Sequence, residues 1–180
     1  VEKMSSTKQK KDRTKPTRIK ITSTGSPGSG KSCLIKRLCE NRFVSKYIAT
    51  IGVDYGVKAH EVDGQEIKVN FWDLSGHDAF FEIRNEFYKD TQGLIIVFDV
   101  SNIDSFRAAD GYLAEAKKFG AKKVSGVLCA NKIDQRRVVS ESEGREFAKI
   151  HGLQYFETSA SSGANVQEMF EYIFSEAVRR

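Results

Sequence analysis

From Arg18 onward, short runs rich in β-branched and aromatic residues alternate with stretches whose apolar positions recur every three to four residues. That alternation predicts β-α-β units around a mostly parallel sheet, an α/β fold. Strands are expected at 18–23, 55–62, 66–72, 93–100, 124–130 and 155–158. Within the third, Ile67, Val69 and Phe71 alternate with Lys68, Asn70 and Trp72, the two-residue period of a half-buried strand. Asp63-Gly64 between the second and third is a two-residue hairpin signal, so this pair should be antiparallel and the rest parallel. Helices are expected at 31–40, 78–88, 103–119, 140–151 and 165–177. Ser140 with Glu143 reads as a capping box for the fourth. The expected architecture is a six-stranded, mostly parallel sheet with one antiparallel edge strand and about five helices on its two faces. Ligands of such sheets sit beyond the C-terminal strand ends.

At 180 residues the chain fits one domain with a sizeable core. No run approaches the ~18 apolar residues of a membrane span. Three cysteines, Cys33, Cys39 and Cys129, occur without a Cys-x-x-Cys pair or an apolar leader. A reducing, intracellular location is expected. The cytoplasm is favoured, with nuclear or peripheral membrane association left open.

The net charge of +5 belongs to one end. Residues 1–20 hold eight Lys/Arg against Glu2 and Asp12, whereas residues 21–180 hold 21 Lys/Arg and 22 Asp/Glu. A body this neutral does not carry the basic, aromatic-interleaved surface of a nucleic-acid binder, and none is expected as a partner. Residues 1–17 lack aromatic residues and are expected to be a disordered basic tail ahead of a folded domain at 18–180. A solvated tail is the default reading; acidic lipid, an acidic partner or an import receptor are the alternatives.

Gly25-Ser26-Pro27-Gly28-Ser29-Gly30-Lys31-Ser32 matches the phosphate-binding P-loop and lies between an expected strand and helix. Its glycines let backbone N–H groups wrap phosphates, helped by the positive end of the following helix, while Lys31 reaches the β and γ oxygens. Ser32 is a candidate magnesium ligand. An ATPase or a kinase shares this loop, so it specifies a nucleotide and not its base.

Asn131-Lys132-Ile133-Asp134 follows an apolar strand. There the Asp134 carboxylate can accept both hydrogens of the guanine N1 and 2-amino edge, a donor pair that adenine lacks. Glu157-Thr158-Ser159-Ala160 ends the last strand and would close the base site, with the Ala160 N–H directed at the guanine carbonyl. Asp73-Leu74-Ser75-Gly76 places a carboxylate near the magnesium and a flexible glycine near the γ-phosphate.

In this order and over 18–180, these motifs resemble the Ras superfamily of small GTPases, and residues 47–55 look like the first switch of Rab proteins. The resemblance implies the P-loop small-GTPase fold, a monomer, and binding of GTP or GDP with magnesium. It places the nucleotide against Ser26, Pro27, Gly28, Ser29, Gly30, Lys31, Ser32 and Cys33, with Asn131, Lys132, Asp134, Ser159, Ala160 and Ser161 around the base. Phe43 would pack on the guanine and Tyr47 cover the phosphates. Thr50 would join Ser32 and Asp73 on the metal and, with Lys31, Gly76 and His77, act on the γ-phosphate. Loss of that phosphate would release both switches.

Residues 42–47, 55–57, 84–93 and 141–145 are further similar to the Rab-like GTPases fused to a C-terminal J domain. That resemblance implies effector, exchange-factor and activating proteins, and a DnaK-type chaperone for a longer chain carrying the J domain. Residues 1–180 contain no His-Pro-Asp tripeptide and no prenylation cysteine, so no stable lipid anchor is expected.

His77 stands where the family usually has Gln. A neutral imidazole carries its donor and its acceptor on separate nitrogens, so it does not easily serve water and phosphate from one end. Pro27 removes an N–H from the P-loop and would obstruct an incoming arginine finger. Ser75 and Ser161 replace the usual Ala and Lys. Slow hydrolysis is expected. The alternatives are that His77 merely faces solvent, or that the chain is a hydrolysis-deficient interaction module stabilised by its nucleotide. Phe80, Phe81, Phe87 and Tyr88 are placed equally by core packing and by an effector surface.

Overall fold

Every strand that the hydrophobic pattern predicts is present in the computed structural model, which describes residues 16–180. The strands are β1 (Thr17–Gly25), β2 (Val53–Val62), β3 (Gln65–Leu74), β4 (Gly93–Asp99), β5 (Ser125–Asn131) and β6 (Gln154–Glu157). They form one sheet in the order β2-β3-β1-β4-β5-β6, parallel throughout except for β2 on β3. Asp63 and Gly64 both have positive φ, 50° and 79°, the sense of twist a two-residue hairpin needs. The expected tail lies almost wholly outside the described residues; Thr17, counted with it above, instead pairs with Ile67 at the head of β1.

The helices are α1 (Lys31–Glu40), α2 (Phe81–Asn85), α3 (Ile103–Arg107), α4 (Ala109–Lys118), α5 (Glu141–His151) and α6 (Val166–Val178). The single helix expected at 103–119 is loosened at Ala108. Its N–H still reaches the Asp104 carbonyl at 3.0 Å and its carbonyl accepts from Tyr112 at 3.2 Å, so α3 and α4 run on as one rod. The helix expected at 78–88 is shorter. It enters through a tight turn at Asp78–Phe80 and leaves by i→i−3 bonds from Glu86 and Phe87, the tighter 3₁₀ geometry frequent at helix ends. Both capping-box bonds between Ser140 and Glu143 are made.

β4 explains why the sheet is covered on two sides: all seven of its residues are buried. Ile95 and Val97 join the core under α1 and α6, and Leu94, Ile96 and Phe98 join the core under α4 and α5. Along α6, Met169, Phe170, Ile173, Phe174 and Ala177 form the apolar stripe, with Phe170 edge-on to Phe71 at 5.8 Å. Removing such a ring costs about 3–5 kcal/mol. His60 packs edge-on against Phe174, and His151 stacks on Phe147. Among the described residues no helix is long and apolar enough to cross a membrane.

Register places the site. Gly25 lies beside Val97, Asp99 beside Asn131, Ala130 beside Glu157 and Ser23 beside Asp73. The loops leaving β1, β3, β4, β5 and β6 therefore share one edge of the sheet, where open α/β sheets hold ligands.

Candidate functional site

A cleft of about 410 Å³ opens at that edge, between the loop after β1, the segment before β2 and the loops after β3, β5 and β6. The loop after β1 turns into α1 through Gly28 and Gly30, with φ of 75° and 96°. A side chain at Gly30 would be strained by that φ and would overlap the Asn131 amide. Lys31, 6% exposed, donates to the carbonyls of Gly25 at 2.9 Å and Ser26 at 3.0 Å. Burial, opposed by the charge of Asp73, lowers its ammonium to about 8. The Lys31 ammonium thus holds its own loop closed over the α1 N-terminus, in reach of any anion that the loop cradles.

Beside it, three oxygen donors meet. The Ser32 hydroxyl donates to the Asp73 carboxylate and lies 3.0 Å from the Thr50 hydroxyl. Among the described residues the other Asp73 oxygen, which is buried, has no hydrogen-bond partner, and burial pushes that carboxyl up from its usual range. A buried, half-satisfied carboxylate next to two hydroxyls is a hard-oxygen donor set, which fits a small divalent cation such as magnesium.

The base loops are tied to the phosphate loop. Asn131 donates through Nδ2 to the Ser29 carbonyl at 2.9 Å, while its Oδ1 accepts from the Thr158 hydroxyl at 3.1 Å and the Ala160 N–H at 3.3 Å. The Ala160 N–H, expected to be directed at the guanine carbonyl, is bonded here to Asn131 Oδ1. Asp134 is exposed and accepts from the Ser159 hydroxyl at 2.6 Å and from Gln135 Nε2 at 2.7 Å. The Ser159 bond is the main reason its carboxyl sits below the usual value. Lys132, at φ 65°, reaches Asp99 at 2.7 Å.

The cleft is lined by Pro27, Gly28, Gly30, Lys31, Ser32, Cys33, Phe43, Tyr47, Thr50, Gly76, His77, Asn131, Lys132, Asp134, Ala160 and Ser161. Ser26, Ser29, Asp73 and Ser159 are not on that lining; Ser29 and Ser159 are fully buried, and Ser26 is half-buried. Gly76 lies against the phosphate loop so tightly that a Cβ would overlap the Gly25 carbonyl and stand 2.6 Å from the Pro27 nitrogen. His77 is exposed at the cleft rim. Of the four aromatic residues after it, Tyr88 is fully buried, Phe81 is 38% exposed and Phe80 and Phe87 are half-buried, so the group divides between core and surface.

Beyond the site residues expected from sequence, Val44, Ser45, Lys46, Ile48, Ser75, Ser101 and Gln135 also line the cleft. Ser101 follows the end of β4, and the strand-end rule was the signal that pointed to it. Arg37 was also missed. From α1 it donates to the carbonyls of Ala160 at 2.8 Å and Ser161 at 2.6 Å, and no local pattern marks partners 123 and 124 residues away.

The sequence profile of the Ras family matches residues 20–179. The chain is 51% identical over 177 residues to DnaJ homolog subfamily C member 27 of Rattus norvegicus, covering 94% of this chain and 65% of that protein. It is 53% identical over 168 residues to the Homo sapiens protein of the same name, covering 89% and 62%. The Danio rerio protein is 51% identical over 174 residues, covering 93% and 64%. This chain thus spans a little under two thirds of the length of these relatives. Their name agrees with the J-domain resemblance drawn from residues 42–47, 55–57, 84–93 and 141–145. With a matched profile over nearly the whole folded part and the phosphate, base and carboxylate motifs gathered at one sheet edge, the chain belongs to the Ras family of small GTPases.

Proposed function

We propose that this chain is a magnesium-dependent switch specific for guanine nucleotides, which hydrolyses GTP slowly and engages effectors in the GTP state. The observation that carries this reading is the convergence of Lys31, Ser32, Thr50 and Asp134 on one cleft, with Asp73 bonded to Ser32 and with Asn131 tying the base loop to the phosphate loop.

Phosphates enter the Gly28–Gly30 turn, where backbone N–H groups and the α1 N-terminus favour negative charge. Lys31 exchanges its loop carbonyls for β and γ oxygens, a gain because charge-assisted bonds are stronger than bonds to neutral carbonyls. Asp134 accepts from the guanine N1 and 2-amino hydrogens once Gln135 releases it, with Ser159 keeping the carboxylate ionised and oriented. Ser32, Thr50 and Asp73 would hold magnesium, which would supply positive charge to offset that of the phosphates. Thr50 and Gly76 report on the γ-phosphate from the two switch segments.

His77 is the reason to expect slow turnover. Its imidazole offers one donor and one acceptor on opposite sides, so orienting water and contacting the phosphoryl group together is difficult. The exposed apolar side chains of Tyr47, Ile48 and Ile51, 60%, 65% and 81% exposed, with the exposed Phe81 and Ile83 of α2, Ile83 lying beside Gly52, form the effector face. Exchange and activating proteins act on the same segments. A longer protein built like the relatives would add a J domain and its DnaK-type partner. The three free thiols suit a reducing, intracellular setting.

Single-turnover hydrolysis tests the reading. The wild-type rate should fall below ~10⁻⁴ per second and rise in His77→Gln. A wild-type rate at or above that figure argues against the slow switch. No hydrolysis in either protein favours the nucleotide-stabilised interaction module, to which Pro27 and His77 also point.

A further inference from the structure

Behind the second switch runs a buried polar network. Arg84, 2% exposed, makes a two-pronged bond to Glu115 on α4, at 2.6 and 2.9 Å. Its remaining N–H group donates to the carbonyls of His77 at 2.8 Å and Ser75 at 3.3 Å. The Tyr112 hydroxyl, one turn earlier on α4, donates to the Gly76 carbonyl at 2.8 Å. Tyr88 donates to Glu115 at 2.8 Å, and its oxygen lies 2.9 Å from the Thr24 hydroxyl on β1. Burial raises both phenols, so they stay donors at neutral pH.

Three consecutive carbonyls, those of Ser75, Gly76 and His77, are therefore held on the α4 side. In a trans peptide the C=O and N–H point in opposite directions. Holding the Ser75 carbonyl on Arg84 turns the Gly76 N–H away from α4, toward the cleft that Gly76 lines. Among the described residues that N–H meets no acceptor, although Gly76 is buried. Buried N–H groups are nearly always paired, and this one faces the place expected for the terminal phosphate.

We propose that Arg84, Glu115 and Tyr112 are positioning residues that hold the Gly76 N–H aimed at the γ-phosphate, and so set the preference of the cleft for GTP over GDP. The inference rests on the guanine-nucleotide reading above. A buried ion pair is weak evidence for a stabilising role, since its desolvation cancels much of its attraction. Here the same guanidinium spans a carboxylate and two carbonyls, a task that the single-point ammonium of lysine does not reproduce.

The test is titration of the nucleotide-stripped chain, with magnesium, against GDP and the β,γ-imido analogue of GTP, in wild type, Arg84→Lys and Tyr112→Phe. Tyr112→Phe removes only a hydroxyl and keeps the fold. Each variant should bind the GTP analogue about tenfold less well relative to GDP, with GDP affinity kept within about twofold. Equal weakening of both nucleotides, or an unchanged ratio in Tyr112→Phe with a lower melting temperature in Arg84→Lys, would show a purely structural network and overturn the inference. Failure of the wild type to bind either guanine nucleotide would instead overturn the guanine reading, and this inference with it.

Discussion

The Asn131 amide donates to the Ser29 carbonyl across 102 residues of sequence, and so fixes the base-reading loop against the phosphate loop. One side chain makes three buried bonds, to Ser29, Thr158 and Ala160. Asn131→Ala should weaken GDP binding roughly 10- to 100-fold, as several buried partners lose their bond at once. Displacement of a fluorescent GDP measures it.

Ser32 is the shared member of the donor set, bonded to Asp73 and next to Thr50. In the wild type, chelation of magnesium by EDTA should speed GDP release by about tenfold or more, from the charge the cation neutralises. In Ser32→Ala release should already be fast, with little further response to EDTA. A strong EDTA response that survives the substitution would remove Ser32 from the metal site.

Gly76 has no room for a side chain, because the Gly25 carbonyl and the Pro27 nitrogen stand against it. Gly76→Ala must push the second switch away from the phosphate loop. GTP hydrolysis should fall by about tenfold or more while GDP affinity changes little, since the displaced group faces the γ position only. Parallel kinetic and GDP-binding measurements separate the two effects.

The Ser140–Glu143 capping box closes α5 on both sides, with Glu143 N–H donating to Ser140 Oγ at 3.2 Å and Ser140 N–H to Glu143 Oε2 at 2.9 Å. Ser140→Ala should lower the melting temperature by about 2–4 °C without changing nucleotide affinity. A calorimetric scan with and without GDP decides it.

What the sequence disclosed was carried by contiguous residues. The alternation in β3, the Asp63-Gly64 turn and the apolar run Leu94–Phe98 of β4 gave the strands and the one antiparallel pair, because each is a local period or a local backbone requirement. The motifs at 25–32, 73–76, 131–134 and 157–160 likewise lie within single loops, and the shared strand ends bring them to one cleft. Long-range side-chain bonds leave no such trace. Arg37 on the Ala160 loop, and Arg84 with Glu115 behind His77, become visible only when the fold joins elements far apart in the chain. The same limit hid the division between Tyr88 and Phe81: helical spacing gives a face, whereas the direction of that face depends on how α2 leaves the loop.

The most direct test of the central claim is equilibrium titration of the nucleotide-stripped chain with GDP and with ADP, in magnesium. The Asp134 and Asn131 arrangement predicts tight GDP binding and ADP binding weaker by at least ~1000-fold, because adenine leaves the Asp134 carboxylate without the hydrogens that guanine supplies. Comparable affinities for the two, or no binding of GDP, would contradict the account.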